Sequence, residues 1–188
     1  DYDLKAAWLD DGPEAAGRLT RPSVQLPLIM MVEYALARLY ESWGVTPAAL
    51  IGHSMGENAA ACLAGVMRFE DCIGLVHLRG RLMDEVERGG MLSVALPAAE
   101  LRKRLGDALD LAAENAPGLS VASGPAEALD ALAARLAADE IEATRIPIDI
   151  AAHSRLLDPV LERFRDFLRS IPLSPPAIPV ISNRSGGW

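Results

Sequence analysis

An α/β fold carrying a small inserted subdomain is what these 188 residues predict. Three observations carry that expectation. The apolar run Ala48-Ala49-Leu50-Ile51 passes directly into Gly52-His53-Ser54-Met55-Gly56 and then into a small-residue helix, the pattern of a buried parallel strand feeding a helix. Residues 90–149 read as strand, helix, strand, strand, helix, strand, which is the order of a ferredoxin-like unit. After that stretch the chain returns to a helix and a further strand at 178–182. The second stretch is therefore read as an insertion, with residues 1–89 and 150–188 forming the larger subdomain around it.

The elements follow from periodicity and punctuation. Residues 1–20 read as irregular. From 22 to 43 a helix is expected, with Val24, Leu28, Met31, Val32, Ala35, Leu36 and Leu39 on one apolar stripe. Pro22 and Pro27 belong near its start, where a missing N–H costs little, and Gly44 with Pro47 ends it. Helices at 57–66 and 69–86 follow the Ser54 turn. Inside the insertion, strands are expected at 91–96, 109–114, 119–123 and 143–148, and helices at 98–105 and 126–138. Asn115-Ala116-Pro117-Gly118 reads as the hairpin turn. A helix at 159–168 and a Pro-rich connection lead to the last strand.

Composition excludes several classes. A net charge of −8 argues against a nucleic-acid surface, which needs a basic face. No apolar run reaches the roughly 18 residues of a membrane helix, so no membrane association is expected. Cys62 and Cys72, both in apolar helical surroundings, read as reduced core thiols of a cytoplasmic protein. The three histidines lack ligand spacing, so no metal is expected. Asp1 in place of Met suggests a piece of a longer chain.

A strand running into Gly-x-Ser-x-Gly and then a helix is the sequence form of a nucleophile elbow. It marks Ser54 as the catalytic nucleophile, and the Met55 N–H, near the helix N-terminus, as an oxyanion donor. Serine needs a base, and His53, His77 and His153 are the candidates. His53 neighbours Ser54 in the turn, where adjacent side chains diverge, and His77 falls at the boundary of a helix face. His153 lies late in the chain, on a loop beyond a strand, where triad histidines usually arise, and is favoured. Asp149 and Asp158 are nearby in sequence, but either can serve as a cap. On the 69–86 helix Arg79 falls on the apolar stripe with Cys72, Leu75, Leu82 and Val86, opposite Arg81, Asp84, Glu85 and Arg88. A core-facing guanidinium is costly unless a carboxylate meets it. Its planar fork suits the free carboxylate of a dicarboxylic acyl thioester; a structural salt bridge is the alternative.

Together, Gly52-His53-Ser54-Met55-Gly56-Glu57, Arg79-Gly80-Arg81-Leu82-Met83, Asn115-Ala116-Pro117 and Ala151-Ala152-His153-Ser154 resemble the acyltransferase domains of modular type I polyketide synthases. They equally resemble the related malonyl-CoA:acyl-carrier-protein transacylases. The resemblance implies a hydrolase-like large subdomain with a parallel sheet, plus the ferredoxin-like small one. It also implies that Ser54 becomes the acyl ester, His153 is the base and Arg79 grips the extender carboxylate. His53, Asn115, Ile150 and Ala152 would line the substrate pocket. The implied substrate is a coenzyme A thioester, with no cofactor bound permanently. The implied partners are a phosphopantetheinylated acyl carrier protein and flanking polyketide synthase domains. The family's usual Gly-Gln-Gly start and its later strands do not appear, which suggests a core trimmed at both ends. Met55 resembles malonyl-selective members, while Ile150-Ala151-Ala152-His153 matches neither the malonyl nor the methylmalonyl pattern, so a branched extender stays open. A serine hydrolase or thioesterase would use the same elbow.

Overall fold

The computed structural model describes residues 3–12 and 15–188. In chain order the helices and strands are α1 (Leu4–Leu9), α2 (Ala15–Leu19), α3 (Pro22–Ser42), β1 (Leu50–Ile51), α4 (Gly56–Leu63), α5 (Phe69–Glu85), β2 (Gly90–Val94), α6 (Ala98–Leu105), β3 (Asp110–Ala116), β4 (Leu119–Gly124), α7 (Ala126–Ala138), β5 (Ala143–Ile146), α8 (Leu161–Ser170) and β6 (Val180–Ile181). A 3-10 helix, Arg155–Val160, precedes α8. The chain divides into two compact units, residues 1–84 with 162–188, and residues 85–161. The fold is α/β.

In the first unit β1 and β6 pair in parallel, Leu50 opposite Val180 and Ile51 opposite Ile181. The strand expected at 48–51 is therefore parallel but not buried, since Ile51 is 71% exposed. The core of this unit gathers Met30 of α3, Met55, Ala59 and Cys62 around α4, Met67, and Cys72, Leu75 and Val76 of α5. Phe164, Phe167 and Leu168 of α8 pack against it. Small residues let these helices approach: a Cβ on Gly80 would lie 2.4 Å from the Pro22 carbonyl oxygen. Both cysteines are buried free thiols, and hydrogen bonding to Cys62 together with burial pushes the Cys72 thiol far up.

Two further expectations fail in this unit. Residues 4–9 and 15–19 are helical rather than irregular, the first helix being capped by Asp3, whose carboxylate accepts the Lys5 and Ala6 N–H groups at 2.9 and 3.1 Å. The apolar stripe of α3 is core only in its first half. Val24 and Leu28 are buried, whereas Leu36 and Leu39 are exposed, and Met30, off the stripe, is completely buried.

The second unit is a four-stranded antiparallel sheet in the order β3-β4-β2-β5. Two helices and this order make it ferredoxin-like. Ala98, Leu101 and Leu105 of α6, and Leu129, Leu132 and Leu136 of α7, recur every three or four residues and are buried. They pack with Leu92, Val94, Leu109 and Ala122. Full burial contributes about 2 kcal/mol per leucine, so this core is substantial for its size. The turn of the β3-β4 hairpin is shorter than expected. Ala116 pairs with Leu119, leaving Pro117-Gly118 as the connection, so Asn115 lies in β3 rather than in the turn.

Candidate active site

Beyond β1 the chain bends through Gly52, His53 and Ser54 into α4. Ser54 adopts φ +54°, a left-handed conformation that an L-residue holds only when its surroundings enforce it. Gly56, Glu57 and Asn58 donate their N–H groups to the carbonyls of His53, Ser54 and Met55 at 3.0, 3.2 and 2.9 Å. These bonds close the bend and leave the Met55 N–H without an acceptor among the described residues. Gly52 is sterically required: a Cβ there would fall 2.2 Å from the Gly56 carbonyl carbon and 2.3 Å from the Glu57 nitrogen. Gly56 is under less constraint, with only Glu33 Oε1 nearby, at 3.7 Å from a Cβ placed there. Beyond β6, Asn183 braces the bend from the other side. Its backbone N–H donates to Glu57 Oε1 at 2.9 Å, and its side-chain Nδ2 donates to the Gly52 carbonyl.

Arg79 reaches this bend from α5. Its Nη2 donates to Ser54 Oγ at 3.0 Å and its Nη1 to Asn58 Oδ1 at 3.1 Å. Burial draws the guanidinium below its usual range, and nearby Glu57 opposes that shift. Among the described residues no carboxylate lies within ion-pair distance of Arg79. The structural salt bridge that the sequence allows is therefore absent, and two neutral side chains occupy the fork.

His153 lies in the second unit, on the loop beyond β5. It is exposed and has φ +58°. The loop is tied down on both sides of it. Ser154 Oγ donates to the Ala151 carbonyl at 2.7 Å and accepts the Leu156 N–H at 3.3 Å. Arg155 grips Asp110: the backbone N–H reaches Oδ2 at 2.8 Å, Nη2 reaches Oδ1 at 2.7 Å, and Nη1 donates to the Asp107 carbonyl at 2.9 Å. The guanidinium holds the Asp110 carboxyl below the usual carboxylate range.

Of the residues expected at the site, Ser54, Met55 and Arg79 come together in the first unit, with His53 exposed on the bend itself. Asn115, Ile150, Ala152 and His153 belong to the second unit. There Ile150 bridges to Arg88, Ala152 is half-buried and Asn115 is exposed.

A family model described as the acyl transferase domain matches residues 9–187. The chain belongs to that family. It is 39% identical over 186 residues to a component of the phenolphthiocerol/phthiocerol polyketide synthase of Mycobacterium tuberculosis (strain CDC 1551 / Oshkosh), covering 99% of this chain but 12% of that protein. The acyltransferase domain from the second module of the salinomycin polyketide synthase superposes with a TM-score of 0.91 at 37% identity, over 98% of this chain and 44% of that one. The malonyl CoA-acyl carrier protein transacylase of Coxiella burnetii superposes with a TM-score of 0.86 at 32% identity, over 97% of this chain and 60% of that one. The chain thus spans a small part of its curated relative and about half of these solved chains.

Two members of the site in this acyl transferase fold escape a reading of the sequence, Asn58 and Asn183. Asn58 sits among alanines on a helix, where a lone amide reads as a solvated position. Asn183 follows β6 far along the chain, and only the β1-β6 pairing brings it to the bend. Among the described residues no helix is long and apolar enough to cross a membrane.

Proposed function

We propose that this chain carries an acyltransferase that moves a malonyl-type extender unit from coenzyme A to the phosphopantetheine thiol of an acyl carrier protein. It works through an ester on Ser54, alongside flanking polyketide synthase domains in the cytoplasm. The observation that carries this reading is Arg79, a part-buried cation with no carboxylate partner among the described residues, hydrogen-bonded to Ser54 Oγ at 3.0 Å. A dicarboxylic acyl group supplies the missing anion and brings its thioester to the nucleophile. The names of the relatives, a polyketide synthase and a malonyl transacylase, support the same reading.

In the first half-reaction His153 takes the Ser54 proton as Oγ attacks the thioester carbon, and the Met55 N–H donates to the oxyanion. Collapse expels the coenzyme A thiol, which receives its proton from His153. The carrier thiol then gives its proton to His153 and attacks the ester, and His153 passes that proton to Ser54 Oγ as it leaves. Coenzyme A enters as a substrate, and no permanently bound cofactor takes part. Left-handed backbone at both Ser54 and His153 supports their pairing as nucleophile and base, since strain of this kind collects where chemistry demands a fixed side chain.

Intact-mass measurement after mixing with malonyl-CoA tests the proposal. A lasting malonyl increment that Ser54→Ala abolishes supports transfer; free malonate without an adduct indicates a hydrolase. Arg79→Ala lowers malonyl loading about a hundredfold, the loss of a charge-assisted pair, and spares acetyl loading. Equal loss on both thioesters would remove Arg79 from substrate selection. Competition between malonyl-CoA and methylmalonyl-CoA for Ser54 decides the extender.

A further inference from the structure

We infer that Asn58 is a second carboxylate-holding residue of this site, one that positions Arg79 and adds a donor of its own. The inference rests on the substrate reading above. A guanidinium offers only donors, so the end of the Asn58 amide lying 3.1 Å from Arg79 Nη1 must be its oxygen. The NH2 end is then left without an acceptor among the described residues. The backbone of Asn58 is fixed from both sides. Its N–H donates to the Met55 carbonyl at 2.9 Å, and its carbonyl accepts the Cys72 thiol at 3.4 Å. Only the side chain is free to serve a ligand.

Its setting sharpens the point. Asn58 lies in the first turn of α4, one helical turn beyond Ser54, and is followed by Ala59, Ala60 and Ala61. Asparagine is a poorer helix former than alanine, and a half-buried amide with unspent donors is costly. Both costs are recovered when an anion arrives. A carboxylate has about four acceptor sites; the Arg79 fork fills two, and the Asn58 Nδ2 reaches a third. An acetyl group offers nothing to either residue. Asn58 therefore selects for the acid end of the acyl group, besides setting the direction in which Arg79 points.

The test measures kcat and KM for loading Ser54 from malonyl-CoA and from acetyl-CoA in the polypeptide carrying this chain. Asn58→Leu, near in shape but without donor or acceptor, lowers the malonyl-to-acetyl ratio of kcat/KM about thirtyfold, mainly through KM. Asn58→Asp keeps the shape and the acceptor for Arg79 but places a negative charge against the incoming acid, and lowers the ratio further. A ratio unchanged within about threefold in both variants, or equal losses on the two thioesters, overturns the inference and leaves Asn58 a scaffold residue. Arg79→Ala, run in parallel, separates the two levels. If it collapses the ratio while the Asn58 variants do not, the Asn58 inference alone falls. If it too leaves the ratio unchanged, the carboxylate reading of the whole site fails.

Discussion

At Glu33, on α3, one carboxylate oxygen is buried without a hydrogen-bond partner among the described residues. Burial raises its pKa above the ordinary carboxylate range. The sign of the resulting linkage is fixed. A group whose folded-state value is raised supports stability below its unfolded value of about 4.3 and loses that support as pH rises through the folded value. Glu33→Gln should therefore raise the melting temperature by about 2 °C at neutral pH, with no gain near pH 4. Calorimetry at the two pH values checks it; a variant less stable at both would mean the charge is favourable where it stands. Residues of this kind mark what a sequence can convey. Ser54 is legible because a turn between a strand and a helix constrains side-chain type. Arg79 is legible because a cation on an apolar stripe breaks a pattern. Asn58 breaks no pattern, and its partner is visible only once α4 and α5 lie side by side.

Among the elements, the loop from Ile150 to Ser154 is secured through its neighbour, the 3-10 helix, whose first residue clasps β3. Arg155 spends its backbone N–H and its guanidinium on Asp110 and Asp107. The Asp110 carboxyl is depressed chiefly by that hydrogen bonding. Its support is present above the unfolded value of about 3.9 and lost as pH falls through the lower folded value. Asp110→Asn should lower the melting temperature at neutral pH, and the difference from wild type should close as the medium is acidified through that lower value. A gap that persists in acid would point to lost shape rather than lost charge. The same region shows where periodicity runs out. The apolar spacing predicts a helix from 159, but residues 155–160 wind as a 3-10 helix and α8 begins at Leu161. By contrast α6 and α7 match their expected limits to the residue, because leucines three and four apart lie between Pro and Gly or Asp boundaries.

At the scale of the molecule, each unit has a core of its own. That of residues 85–161 draws every member from within the unit itself. Expressed alone, residues 85–161 should melt cooperatively, with near-ultraviolet and amide signals coinciding; a gradual, non-coincident loss would show that its core depends on the rest of the chain. The order of strands and helices is readable from sequence because pattern changes from a period of two to one near 3.6. The exposure of Leu36, Leu39 and Ile51 is not, because periodicity reveals a face and says nothing of what covers it. The parallel pairing of Leu50 with Val180 carries a consequence for biosynthesis. A nascent chain leaving the ribosome exposes β1 early but must wait for more than a hundred further residues before β6 can meet it. By then residues 85–161 have already emerged and can fold. The later-encoded unit is thus finished first, and the distance between the two waiting strand partners shrinks before they have to find each other.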